Sequence, residues 1–353
     1  MYGQWSTLNV QIGTPAQDIR VLVSTSSPEI VVAALQGCTT PINGVIPNNC
    51  TASRGGVFNA TASSTWNGQG LFPITENAVT LDGSLGITED AYYGLETVGL
   101  SNTGPKLRGQ TVAVIVSSSP LYFSQLIFGG SDTSRYQSNS VSFNVSDTPD
   151  QNLVVAIQSI TYSGSRDADL LPDPIYAFID STDPNFWLPA AACQLFEDAF
   201  GISRDQATGL YLIDDSTYER LSQTKPVVTF SLGNKLSGGE SMNITLPFSA
   251  FTLQALYPFV PNVPNVTRYF PLRQTSNPSE YMLGRAFLQE AYLTVDYARS
   301  IFSVSQCLWD ESAPVKLETI LPPEFTTAPA PNPITESTTS PHHFSGGAIA
   351  GIV

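Results

Sequence analysis

Two stretches of this chain share one build, and together they narrow the folds open to it. Ala177 to Pro189 (AFIDSTDPNFWLP) runs three apolar residues into a single carboxylate, Asp180, then a turn of small residues, then apolar residues again. Val21 to Val32 (VLVSTSSPEIVV) repeats the plan, with Ser24 standing where the later copy has its carboxylate. Short apolar runs bounded by turn residues are the sequence form of buried strands. A strand that ends on a polar group and then turns away presents that group at its tip. The two copies lie 180 − 24 = 156 positions apart, which points to two related halves meeting at a shared site. One half has kept its acid; the other carries an alcohol.

The chemistry open to such a site is limited by what the chain lacks. Its only histidines, His342 and His343, lie in the tail. A Ser-His-Asp triad, a Cys-His pair or a histidine-rich metal site therefore cannot be built in the globular part. The four cysteines, Cys38, Cys50, Cys193 and Cys307, form no CxxC and have no zinc-site spacing, so neither metal nor cofactor is expected. Any catalysis falls to carboxylates. A net charge of −15 with 15 Lys and Arg argues against a nucleic-acid partner, since phosphate backbones need a basic face. It suits an acidic milieu, where part of the repulsion is titrated away. Four cysteines allow three pairings; Cys38 with Cys50 closes a short loop and is expected first, leaving Cys193 with Cys307. Sequons at Asn49, Asn59, Asn144, Asn243 and Asn265, together with paired cysteines, fit an exported glycoprotein.

In order, several stretches resemble the pepsin-like aspartic proteases. IGTPAQDIRVLVSTSS resembles that family's opening: a strand, a Gly-Thr-Pro turn, then an apolar strand into an Asp-Thr-Gly-Ser loop. AFIDSTDPNFWLP resembles its second such loop. Ile127 to Tyr136 (IFGGSDTSRY) resembles the strand-turn ending the first lobe, and Met282 to Gln306 (MLGRAFLQEAYLTVDYARSIFSVSQ) the closing segment. The resemblance covers roughly Tyr2 to Leu308 and is closest to a fungal, cell-surface branch. It implies a mostly β, bilobal acid-protease fold with a few short helices and a shortened N-terminal lobe. The expected division is 1–150 for the N-terminal lobe, 151–312 for the C-terminal lobe, 313–345 for a Pro/Ser/Thr-rich stalk, and 346–353 for the start of a transmembrane segment cut short.

The chain's own patterns fill this frame. Strands are expected at Trp5 to Ile12, Ile19 to Val23, Val79 to Leu81, Ala91 to Leu100, Thr111 to Val116, Leu153 to Ser163, Pro226 to Leu232, Ser241 to Leu246 and Tyr257 to Phe259. Pro189 to Phe200 reads as a helix with Cys193, Phe196 and Phe200 on one face and Gly201 as its stop. Gly284 to Ala291 reads as a short helix. Met1 to Gln17 has no signal-peptide pattern, so an export leader is expected upstream. The stalk is an extended, O-glycosylated spacer by composition. Ser345 to Val353 is too short to span a bilayer, which needs ~20 residues, and reads as the opening of such a span. No Tyr-bearing flap hairpin is evident between Phe72 and Glu89; Tyr92 and Tyr93 read as cross-strand or core aromatics. The chain also passes from Val116 through SSSP directly to LYFSQ, where the family has a longer excursion.

The resemblance implies a reaction that needs two carboxylates sharing one proton, one acting as base toward water and the other as acid toward the scissile carbonyl. Here Asp180 faces Ser24, which can do neither without a base to activate it. Ser26 and Thr182 stand where the family has glycine, adding a Cβ to each loop, and Asp183 puts a second anion near Asp180. A substitute pair of Asp180 with Asp183 is the less favoured reading. Thr25 and Ser181 retain the hydroxyls with which each loop braces the other. The expected function is therefore a catalytically impaired aspartic-protease-fold protein, monomeric, membrane-anchored at the cell surface, with a polypeptide or peptide as ligand in the cleft. The alternatives are an active aspartic endopeptidase working at acidic pH and a structural cell-wall glycoprotein.

Overall fold

The computed structural model describes residues 8–21, 23–25, 30–38, 50–53, 55–73, 90–101, 104–115, 130–148, 151–255, 267–310, 312–321 and 323. Strands dominate among them, and the helices are short. In the second half the sheet is built outward from Val154–Ser163, where Val155, Ala156, Ile157, Ile160 and Tyr162 are buried. That strand pairs antiparallel with Ile175–Ile179 and with Val227–Gly233. Beyond the latter, Ser241–Pro247 forms the sheet's edge. Its alternation is strict: Met242, Ile244 and Leu246 face the core, and Ser241, Asn243 and Thr245 face solvent.

On the opposite side the order is Ile175–Ile179, Met282–Leu283, Phe186–Pro189, Leu272–Thr275. Ile175–Ile179 runs parallel to Met282–Leu283, and Phe186–Pro189 antiparallel to it. The chain thus leaves the sheet after Ile179, passes over the end of a strand from far along the sequence, and re-enters beyond it. This crossing carries Asp180. Beneath it lies an aromatic core in which Phe186 stacks on Phe230 at 5.4 Å, Phe251 on Phe270 at 4.9 Å, and Phe200 meets Phe270 edge-on at 4.8 Å. Such pairs each add about 0.5–1.5 kcal/mol beyond their buried area.

The helix Ala190–Phe200 buries Ala192, Cys193, Phe196 and Phe200 and ends where Gly201 takes the left-handed conformation at φ +64°. Gly284 to Ala291 yields only one turn, Arg285–Leu288. A further helix, Asp215–Thr224, was not anticipated. It is polar on average and buries only Leu221 fully, and Asp214 caps it by accepting from Thr217 N at 2.6 Å.

In the first half the sheet order is Gln17–Val21, Leu8–Ile12, Asp90–Gly99, Lys106–Ile115, Ile30–Ala33, with Asn67–Pro73 also paired to Asp90–Gly99. Val10, Ile12, Ile19, Val32, Phe58, Val98, Val112 and Val114 form its core. Tyr92 is exposed, and Tyr93 meets Phe72 edge-on across the strands at 5.8 Å. The expected strands at Val79 to Leu81 and Tyr257 to Phe259, the question of a flap between Phe72 and Glu89, and the shortening after Val116 all fall largely or wholly outside the described residues, as do the stalk beyond 323 and its apolar end. No helix among the described residues is long and apolar enough to cross a membrane.

Two findings differ from expectation. The Cys38–Cys50 disulfide is formed, but Cys193 and Cys307 are free. Cys193 is packed into the helix face at Ala190–Phe200, whereas Cys307 ends the last strand of the closing hairpin, in a bridge to Tyr136. Burial pushes both thiols up to about 12. We therefore expect two thiols per chain by reagent titration after unfolding without reductant, and slow labelling of both in the native protein near pH 8. A count of zero would restore the second bridge.

The other difference lies at 313–321, placed in the stalk by composition. Leu317–Thr319 pairs antiparallel with Gly130–Asp132. Lys316 N donates to Asp132 Oδ1 at 2.9 Å, and Arg299 Nη2 donates to Leu321 O at 2.9 Å. Hydrogen bonds from Ser134, then from Lys316, hold the Asp132 carboxyl down at about 2 from its ordinary 3.8. A depressed aspartate stabilises the fold above its unfolded value and loses that contribution as pH falls through the folded one. Amide protection of Lys316 to Thr319 should accordingly persist through pH 4 and fade toward pH 2. In Asp132→Asn this pH dependence should vanish.

Candidate active site

Asp180 sits at the carboxyl end of a strand paired on both sides, so its backbone has little freedom. Its N–H donates to Leu283 O at 3.1 Å, and its side chain is fully buried. Its Oδ1 accepts twice from Thr182, from the backbone N at 2.7 Å and from Oγ1 at 2.6 Å. The threonine in place of a loop glycine therefore does not keep the amide away. The amide still reaches the carboxylate, and the extra side chain adds a second donor to the same oxygen. Ser26, the other such replacement, lies outside the described residues.

The two loops are locked together by four hydrogen bonds with two-fold symmetry. Thr25 N donates to Ser181 Oγ at 3.1 Å, and Ser181 N to Thr25 Oγ1 at 3.0 Å. Thr25 Oγ1 in turn donates to Ile179 O at 3.0 Å, and Ser181 Oγ to Val23 O at 2.6 Å. Each contact has its mirror, and Thr25 and Ser181 are 156 positions apart. That register makes Ser24 the symmetry mate of Asp180, between Val23 and Thr25 as Asp180 is between Ile179 and Ser181. Thr25 and Ser181 are both buried, so each hydroxyl removed strands a donor and an acceptor. Thr25→Val should cost about 2 kcal/mol or more in urea unfolding, with Thr25→Ser near neutral. The double variant with Ser181→Ala should cost less than the sum of the singles.

Asp183 serves the turn. Its Oδ1 accepts from Asn185 N at 2.6 Å and Asn185 Nδ2 at 2.8 Å, and its Oδ2 from Trp187 Nε1 at 3.1 Å. Its carbonyl accepts from Arg285 N at 2.7 Å. Its charge also favours the cationic form of Arg273, against the burial that pushes this guanidinium down. Asp183 is thus tied into the turn that follows Asp180. Asn185 and Trp187 were not anticipated in this role. The available signal was the spacing Asp183-x-Asn185, since an aspartate readily bonds the amide two residues on.

Gly284 fits against the same turn. A Cβ on it would lie 2.2 Å from Asn185 O and 2.4 Å from Asp183 O. The loop over the strand end thus requires glycine directly after Leu283.

A profile of the family described as eukaryotic aspartyl protease matches residues 74–307. The chain belongs to the eukaryotic aspartyl protease family. The matched span holds Asp180 and the closing segment; Ser24 and Thr25 precede it. The chain is also similar to aspartic proteinase 3 of Saccharomyces cerevisiae, with 22% identity over 307 residues, 83% of this chain and 50% of that protein. It spans half the length of that relative. Within the aspartyl protease frame, the described residues join Thr25 to Ser181, which directly follow Ser24 and Asp180 in the chain. Cys38, Cys50, Cys193 and Cys307 lie elsewhere. Among the sequon asparagines, Asn59, Asn144 and Asn243 are exposed, and Asn49 and Asn265 fall outside the described residues.

Proposed function

We propose that this chain is an aspartic-protease-fold protein whose hydrolysis of peptide bonds is impaired and which holds extended polypeptide at the cell surface. The observation that carries this reading is the reciprocal Thr25–Ser181 bracing, which makes Ser24 the symmetry mate of Asp180. A site with one carboxylate can activate water or protonate a carbonyl, but the reaction needs both at once. A serine hydroxyl stays neutral through the acidic range and is a poor base. Asp180 is meanwhile held in place by Thr182. The bracing supports a cleft whose loops have outlasted their chemistry. Such a cleft suits an extended chain bound by main-chain hydrogen bonds. The sequons, the Cys38–Cys50 bridge and the Pro/Ser/Thr-rich stretch support an exported glycoprotein at the cell surface.

The test is a binding titration of the purified protein with a reduced, alkylated protein at pH 4–5. The expected result is saturable binding, competed by short extended peptides, with the ligand recovered intact. Intact ligand without binding would favour the structural wall glycoprotein. Fragments that disappear with Asp180→Asn would make this an active endopeptidase.

A further inference from the structure

The strand Ser241–Pro247 ends the second-half sheet, and its partner Val227–Gly233 covers only one side of it. On its other side the strand Ile301–Gln306 approaches at Thr245, and the part of the edge left open is a template for pairing with another chain unless something blunts it. In an antiparallel pair, alternate residues turn both backbone groups toward the partner, and the residues between turn theirs outward. Thr245 fixes which set is which. Its N–H donates to Gln306 Oε1 at 2.7 Å, and its carbonyl accepts from Gln306 Nε2 at 3.2 Å. Thr245 therefore points outward, and so by register do Ser241, Asn243 and Pro247.

Two of these four positions are accounted for. Pro247 has no N–H to offer. At Thr245 the Gln306 amide takes the place of a neighbouring strand. Ser241, which begins the strand, has no hydrogen-bond partner for its outward backbone groups among the described residues. Asn243 lies at the middle of the edge, and among the described residues its outward backbone groups have no hydrogen-bond partner. It is also the asparagine of the sequon Asn243-Ile244-Thr245. The period of two puts Asn243 and Thr245 on the solvent face and buries Ile244 completely, so a large group on Asn243 would not disturb the core.

We propose that Asn243 carries an N-linked glycan and that this glycan blunts the one unprotected stretch of the edge. The donor is a lipid-pyrophosphate-linked oligosaccharide. Asn243 Nδ2 bonds to the anomeric carbon of the first sugar, that carbon's bond to the pyrophosphate oxygen breaks, the amide loses one proton, and the lipid pyrophosphate departs. A glycan here stands over the outward groups of Ser241 and Asn243 and keeps a second strand from docking. The inference rests on the exported-glycoprotein reading above and not on whether the cleft hydrolyses anything.

The experiment uses the full chain secreted from a glycosylating eukaryotic host. Peptide mapping after enzymatic deglycosylation should show Asn243 converted to Asp. Light scattering after size exclusion then compares wild type with four variants. Thr245→Ser keeps the sequon and should stay the same size as wild type apart from any change in occupancy. Asn243→Gln and Thr245→Ala should both lose one glycan mass and shift to larger species as concentration rises. Asn243→Lys loses the glycan but sets a charge on the edge and should return to the wild-type state, which separates edge exposure from misfolding. Unmodified Asn243 in the secreted protein overturns the site. A modified Asn243 whose Gln and Ala variants stay at wild-type size overturns the role.

Discussion

On the proposed reading, Ser24→Asp should give acidic peptide hydrolysis well above that of the wild-type chain. Members of a catalytic pair act jointly, so losing one removes most of the rate, and restoring it returns more than a proportional share. The supporting parts are present: Asp180 is buried with Oδ1 bound by Thr182, and the Thr25–Ser181 bonds fix the spacing of the two loops. We expect a gain of about a hundredfold or more at pH 3–5 over wild type, abolished by Asp180→Asn. Adding Ser26→Gly should raise it further, by returning to the first loop the glycine found in the family. A fluorogenic peptide assay measures this. No gain in either variant would mean that the cleft has decayed as well as its chemistry.

Gly284→Ala should be the most damaging small change in the second half. The methyl group would meet two carbonyl oxygens, of Asn185 and Asp183, and both are already engaged as acceptors from Gly284 N and Arg285 N. Neither is the loose end of a side chain, so the loop itself must move. We expect a loss of about 3 kcal/mol in urea unfolding, at the upper end for an added methylene in a packed site. Gly99→Ala, whose nearest neighbour is a lysine methylene at 3.4 Å, should change stability by no more than about 1 kcal/mol. If Gly284→Ala were as mild as Gly99→Ala, the loop would not rest on the Leu283-Gly284 step.

Legibility in the sequence followed the strength of the local pattern. Ser241–Pro247 and Ala190–Phe200 were readable because each shows one clear period, two for the strand and one apolar face for the helix. The helix Asp215–Thr224 was not, because only Leu221 is buried and its start is marked by a cap rather than by apolar residues. The paired loops were readable because the same build occurs twice. The support under them was not, because Asp183 reads as a charge and shows its bonds to Asn185 and Trp187 only once folded. Composition misled at Leu317–Thr319, where a stretch near the Pro-rich tail docks on Gly130–Asp132 through backbone groups that any sequence can supply. Counting misled at Cys193 and Cys307. An even number of cysteines invites full pairing, but one thiol is buried in a helix face and the other ends a strand of the closing hairpin.

The proposed impairment rests on a lone carboxylate, Asp180, whose symmetry mate is Ser24. Purified protein, incubated with a denatured protein at pH 3–5 with and without a statine-type inhibitor, decides this by fragment analysis. We predict the same intact substrate in both samples. Fragments that appear without the inhibitor, vanish with it and are absent for Asp180→Asn would contradict the account.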